Sequence, residues 1–265
     1  MNTFLSAFDR RGGLISILGL VAILAWESTQ GDLAMARWFG QPTGFPLSDH
    51  FLLENILHTG VRNLGWMVLL SWLALTVWPK GFLKQLPITQ RWLLWFSIVA
   101  CLLVVIVMKG LSTTSCPWDV DVFGGAVPYV SHLDFWKTDG GGGHCFPAGH
   151  ASTGFAFMGA YFWLKQSNSR VAMIGLLISV ASGVLLGVSQ QIRGAHFMSH
   201  TLWTTWICWV TPWLIHGVYT YRLNKKSIWL FGAANFEHVG ATRRAHRFTT
   251  GDGINIAFAN DVSFL

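Results

Sequence analysis

Charged side chains are scarce in this chain, 11% of its residues against 52% hydrophobic, where a soluble chain averages about 25% charged. Too few polar groups remain to cover a particle in water, which excludes an ordinary soluble domain. A periodic repeat, an aromatic-interleaved basic patch and an HExxH pair are also missing. Solenoid, nucleic-acid and zinc-protease readings therefore have no support. No inverted repeat or pair of broken apolar segments is evident, which counts against a transporter. The first apolar run follows Asp9, Arg10 and Arg11 as in a signal peptide, but the small residues Ala34 and Ala36 lie well past its end, so it reads as an anchor.

What the chain has is long apolar runs. A hydrocarbon core of about 30 Å needs roughly 20 apolar residues per helix. Six runs reach or approach that length: Gly12 to Trp26, Val61 to Trp78, Trp92 to Met108, Ala151 to Leu164, Val171 to Val188 and Thr201 to Tyr219. The fourth is short and needs its flanks. Many of the fifteen tryptophans stand near run ends, among them Trp26, Trp66, Trp78, Trp92, Trp95 and Trp163, which suits interfacial belts. The fold class expected is an all-α membrane protein, a six-transmembrane-helix bundle over residues 1–228, followed by a loosely ordered polar tail over 229–265.

Lysine and arginine placement orients the bundle, because short cytoplasmic loops hold the positive charge. Arg10, Arg11, Lys80, Lys84, Arg91, Lys165, Arg170, Arg222, Lys225 and Lys226 fall on one side, with Arg243, Arg244 and Arg247 in the tail. The other side receives Arg37, Arg62, Lys109, Lys137 and Arg193. Both termini are thus expected in the cytoplasm of a bacterial-type inner membrane. The sequence pI near 9.4 follows from this topology and from contact with anionic headgroups rather than from nucleic acid.

Three segments are expected on the outer side. In Glu27 to Gly60, the residues Phe51, Leu52, Leu53, Ile56 and Leu57 have helix-like spacing, read as an interfacial helix or a simple packing helix. Lys109 to Gly149 contains the run Gly140 to Gly143, read as a flexible cover or a plain connector. The third is the turn Ser189 to Ser199. Lone histidines at helix ends are usually solvated or capping, and His50, His58, His132, His216, His238 and His246 are read that way.

The polar groups of these segments converge at one membrane face. Lys109 ends the third run, Pro147, Ala148, Gly149 and His150 open the fourth, and Arg193, His196 and His200 open the sixth. Ionisable groups at membrane depth are costly, so a converging set marks a functional site.

These residues resemble the membrane-bound type 2 phosphatidic acid phosphatases, whose fold is shared with vanadium-dependent haloperoxidases. That family carries KxxxxxxRP, PSGH and SRxxxxxHxxxD in order. Here Lys109 is followed at the family's distance by Cys116-Pro117, then Pro147-Ala148-Gly149-His150, then Ser189-Gln190 with His196 and His200 at the last two spacings. The core motifs occupy 109–203. The family's first arginine is Cys116, its serine Ala148, its second arginine Gln190 and its final aspartate His200.

The resemblance implies that His196 attacks phosphorus, that His150 serves as acid and then base, and that His200 supports the nucleophile. Lys109 and Arg193 would neutralise phosphate oxygens, with backbone donors around Ala148 and Gly149. Gln190 marks the place of the missing arginine, and Asp119 is a candidate for the missing carboxylate. No cofactor is implied. His196 and His200 also resemble a metal pair, with His150 or His144 as a third ligand. The implied partner is a phosphorylated membrane lipid, with undecaprenyl diphosphate, phosphatidate, phosphatidylglycerol phosphate and lipid A phosphates as candidates. Hydrolysis, transfer to another acceptor and a non-catalytic lipid-binding role remain open.

Of four cysteines, Cys101 and Cys208 lie inside apolar runs. Cys116 and Cys145 share one outer loop on the oxidising side, and a disulfide between them is expected, with two unrelated thiols, or metal ligation together with His144, as the alternatives.

Overall fold

The computed structural model describes residues 8–134 and 136–248, and from 226 onward the backbone course alone. Helices account for the architecture, and no strand occurs among the described residues. They are α1 (Arg10–Glu27), α2 (Gly31–Ala36), α3 (Leu52–Val77), α4 (Ile88–Leu111), α5 (Gly149–Phe155), α6 (Ala160–Leu164), α7 (Ser169–Ile192) and α8 (Met198–Phe248). Each of the six apolar runs is helical. Three helices, α3, α4 and α7, are long and apolar enough to cross a membrane. Arg10, Arg11 and Glu27 lie within α1 itself. A 3₁₀ turn, Ala156–Gly159, separates α5 from α6.

Two of the expected boundaries move. The helix foreseen over Phe51 to Leu57 forms, but as a π-wound segment, Leu52–Gly60, that runs into Val61–Val77 without a break. Gly60 and Val61 both hold right-handed helical dihedrals, so nothing turns the chain there. The tail expected from residue 229 begins inside α8, which continues to Phe248. Residues 249–265 of that tail lie outside the described residues.

Local chemistry sets the helix starts. The Asp9 carboxylate accepts from Gly12 N at 3.1 Å and opens α1, and Asn168 Oδ1 accepts from Val171 N at 3.0 Å and opens α7. Asp9 also pairs with Lys165 at 3.0 Å, joining the start of α1 to the residue after α6.

Tryptophan does more than line the surface. Trp206, Trp209 and Trp213 on α8 donate their indole N–H groups to the carbonyls of Ser16, Gly12 and Asp9, at 2.8, 3.2 and 3.1 Å. This ladder fastens α8 antiparallel to α1. Trp26, Trp95 and Trp163, expected in membrane belts, donate internally to Asp32 Oδ1, Leu69 O and Ser97 Oγ. A buried indole N–H needs an acceptor, and each finds one inside the bundle. Trp66 and Trp78 are exposed, as a belt requires.

The centre packs α4, α5, α6 and α8 around Leu94, Ile98, Phe155, Met158 and Phe162. Close approach of α5 to α7 depends on glycine: a Cβ on Gly154 would lie 2.4 Å from Gly183 N, and one on Gly183 would lie 2.3 Å from the Phe155 ring. Ser179 Oγ uses that proximity to donate to Gly154 O at 2.7 Å. Small residues at helix crossings are what packing in lipid requires, since apolar transfer supplies no force between helices there. The outward faces are apolar, with Ile17 64%, Ile106 61% and Ile178 64% exposed. Such faces fit a hydrocarbon solvent.

Candidate active site

The end of α4, the start of α5 and the α7–α8 turn meet at one end of the bundle, so the three sequence motifs share one place. The loop between α4 and α5 is tied down there. Cys116 and Cys145 form a disulfide with Cα atoms 5.2 Å apart. Cys145 N donates to Thr114 O at 3.2 Å and His144 N to Ser112 O at 2.8 Å, so the two loop arms run side by side. The glycine run leads into the second arm, with Gly140 and Gly143 at φ of 81° and 62°. The Asp139 carboxylate accepts from Ser115 N at 2.6 Å and Gly141 N at 2.9 Å, tying the start of that run to the first arm.

His196 stands in the turn before α8 and is 5% exposed. Its Nδ1 lies 3.4 Å from His200 Nδ1 and 3.6 Å from Cys145 Sγ. The disulfide sulfur has no hydrogen, so its 3.1 Å approach to Ala195 O is a packing contact. Burial pushes the His196 imidazole well below its usual value, with Lys109 and His150 acting the same way, against a hydrogen bond that the imidazole donates to the Cys145 backbone carbonyl. His196 is therefore neutral, the form a nucleophile requires.

His200 is 2% exposed and caged edge-on by the rings of His132, Phe146 and Phe197 at 5.3, 5.4 and 5.5 Å. The third donor near the pair is Cys145 Sγ, which the disulfide prevents from becoming a thiolate, so these donors do not make a thiolate-type metal site.

His150 opens α5, and its Nε2 is buried with no hydrogen-bond partner. The ring stacks on His58, centroids 3.8 Å apart. Lys109, Arg62 and Arg193 all act on His150 electrostatically. The Lys109 side chain runs along the start of α5, where a Cβ on Gly149 would meet its Cδ at 3.7 Å. His144 Nδ1 lies 3.2 Å from Lys109 O, against the backbone of the same helix end. The Ala148 N–H is already committed, donating to His200 O at 3.3 Å. That bond couples the second motif to the third, and it leaves the N–H groups of the helix's first turn as the backbone donors there.

Arg193 is 7% exposed and held from three directions. Its Nε donates to Ser48 O at 2.7 Å, an Nη donates to Gln190 Oε1 at 3.4 Å, and the other lies 3.9 Å from Glu54 Oε1. Gln190, standing where the family has arginine, thus orients Arg193. Gly194 has φ of 77° and a Cβ there would strike the Phe45 ring at 2.4 Å, so only glycine makes this turn. Asp119 does not reach the histidines; its carboxylate accepts from Cys116 N at 3.2 Å and caps a local turn.

Several site residues escaped the sequence reading. His58 and His132, read as solvated or capping, are respectively stacked on His150 and 7% exposed against Phe146. His216, read the same way, packs edge-on against Trp163 inside the bundle. Arg62 and Glu54 come from α3, Glu27 from α1 and Asp32 from α2. The i, i+4 step from His58 to Arg62 is a signal that was available; nothing local marks His132.

From His150 and Arg62 a groove of about 240 Å³ runs between α3, α4 and α5, lined below its polar end by Trp66, Leu69, Leu102, Ile106 and Phe157. A second apolar groove of about 380 Å³ adjoins it and shares Gly65, Thr153 and Phe157.

His150 and Arg62 head the apolar groove, and the buried His196–His200 pair, Lys109 and Arg193 lie at the same end of the bundle, a set of basic groups with the chemistry to hold phosphate beside membrane-compatible helices. The PAP2 superfamily pattern matches residues 90–224, from α4 into α8. The chain belongs to the PAP2 superfamily, the type 2 phosphatidic acid phosphatase family, and so to enzymes of phosphatase type acting on phosphorylated substrates. No curated protein and no solved structure matches it.

Proposed function

We propose that this protein hydrolyses a phosphomonoester or pyrophosphate on a membrane-lipid headgroup through a phosphohistidine formed on His196. The observation that carries this reading is the unpartnered, buried Nε2 of His150 at the polar head of an apolar groove. A phosphate oxygen there satisfies the nitrogen, and a lipid tail fills the apolar lining.

In the first step the His196 Nε2 lone pair forms the N–P bond as the bond from phosphorus to the leaving oxygen breaks. Burial and the charges of His58, Lys109, Arg62 and Arg193 lower the His150 pKa to about 3 in the free protein, so His150 takes a proton as the phosphate anion binds beside it and passes that proton to the leaving oxygen. In the second step His150 removes a proton from water, whose oxygen attacks phosphorus, and the N–P bond breaks to release phosphate. Lys109, Arg62 and Arg193 offset the phosphoryl charge throughout. Entry requires the His58 ring and the Glu54 carboxylate to swing away from His150 and Arg193.

In this reading six helical segments span the membrane, both termini are cytoplasmic, and the site faces the outer, periplasmic side of a bacterial-type inner membrane. Two observations support it: the Asp9–Lys165 pair lies at the basic end of α1, and the disulfide lies at the site end. Phosphatidate, phosphatidylglycerol phosphate, undecaprenyl diphosphate and lipid A phosphates share the chemistry the groove accepts.

Purified wild type is expected to release inorganic phosphate from at least one of these lipids, equally with and without chelator, and to be inhibited by vanadate, which adopts the five-coordinate geometry of the transferring group. Turnover lost in chelator and restored by zinc would replace this mechanism with a metal-assisted one. Release of no phosphate from any lipid of the panel would remove the hydrolase reading.

A further inference from the structure

Phosphorylation of His196 at Nε2 makes its ring cationic, and the group facing its Nδ1 is the His200 imidazole, 3.4 Å away. A neutral imidazole accepts the Nδ1 hydrogen but brings no negative charge to balance the ring. A carboxylate stands one ring further on. His200 contacts His132 edge to face at 5.3 Å, and His132 Nε2 lies 2.9 Å from Glu27 Oε1. These two side chains are 3% and 8% exposed, so the pair is out of water. The Glu27 carboxylate is thus held against the His132 ring, one ring from His200, and brings its negative charge there. In a medium of low effective dielectric that charge reaches the neighbouring rings.

We propose that Glu27, acting through His132, is a positioning residue that supplies the negative charge behind the His196–His200 pair. The proposal deepens the phosphohistidine reading and rests on it. Glu27 ends α1, far in sequence from the motifs, and Asp32 beside it serves the same region differently. Asp32 accepts from Ser199 N at 2.9 Å and from the Ser199 hydroxyl, capping the first turn of α8 just before His200. Its oxygens are engaged there and by Trp26, which leaves Glu27 as the carboxylate joined to the histidine rings. The competing role for Glu27 is a clamp: Trp203 Nε1 also donates to its Oε1 at 3.1 Å, fastening α8 to α1.

The two roles separate in a double-mutant cycle with His200→Asp, which puts a carboxylate directly on His196. With dioctanoyl phosphatidate in detergent as the probe, Glu27→Gln in the native background is expected to lower kcat about 30-fold with KM nearly constant. Glu27→Asp is expected to recover most of that loss. In the His200→Asp background the same change is expected to cost under about threefold. His132→Gln, which keeps a donor for Glu27 but removes the ring, should repeat the pattern and serves alone if Glu27→Gln fails to fold. Equal losses in both backgrounds, or full turnover in Glu27→Gln, would leave only the clamp and overturn the proposal. A wild type that releases no phosphate from phosphatidate or from any other lipid of the panel overturns the phosphohistidine reading together with it, whereas a wild type active on one of them and indifferent to Glu27 overturns this inference alone.

Discussion

His196→Ala is expected to bring phosphate release to background, a loss of at least about 10⁴-fold, because no other neutral imidazole nitrogen can form the covalent intermediate at this position. Its ring sits at the junction of the third motif and the disulfide, with Nδ1 turned to His200 and Cys145. In the proposed mechanism that orientation leaves Nε2 as the attacking nitrogen. His150→Ala is expected to cost about 10²- to 10⁴-fold, the range for removing a general acid. Arg193→Ala should cost roughly 3 kcal/mol, or about 100-fold, with the loss in kcat, since a held guanidinium acts on charge that develops in the transition state. A clean readout is single-turnover release measured on protein whose thermal unfolding matches wild type. Substantial release by His196→Ala would end the phosphohistidine mechanism, and an Arg193→Ala rate equal to wild type would deny it the place of the family's arginine.

The parts of this site that were legible in the sequence are those whose geometry is local. Lys109, His150 and His196 each sit at a helix end next to an apolar run, so spacing alone put them on one face. The Cys116–Cys145 bond was legible because both residues lie in one loop between two helices. What was hidden depends on contacts between segments distant in the chain. The π winding of Leu52–Gly60 turns His58 onto the His150 ring. Periodicity cannot reveal this, because π and α winding share much the same apolar pattern. His132 lies in an irregular loop, and only the fold brings it between Phe146 and Glu27. Tryptophan misled in one respect: the residue type suits an interface and a buried donor equally well, and Trp163 and Trp26 took the second role. Asp119 misled because it is near Pro117 in sequence, whereas its carboxylate is spent on the cap at Cys116.

Removing the disulfide with the double change Cys116→Ser and Cys145→Ser is expected to lower the unfolding free energy by ~3.6 kcal/mol, from the chain entropy of the loop it closes. The cysteines are 29 residues apart, and the bond fastens the segment after α4 to the segment before α5. For a chain of this size the loss corresponds to a fall in Tm of about 10 °C. Turnover should fall as well, because Cys145 is fully buried against Ala195 and His196 and fixes the wall on which the His196 ring rests. Single Cys116→Ser leaves a Cys145 thiol in that position, free to donate to Ala195 O, and so separates loss of the cross-link from loss of the sulfur. Cys101 and Cys208 provide an internal control: both are free and buried, with Cys101 Sγ 3.7 Å from Cys208 O inside the bundle. Thiol labelling of membranes prepared under alkylating conditions should modify Cys116 and Cys145 only after reductant is added. Labelling of both before reduction, or a double variant with wild-type Tm and turnover, would show that the bond does not hold the two walls of the site together.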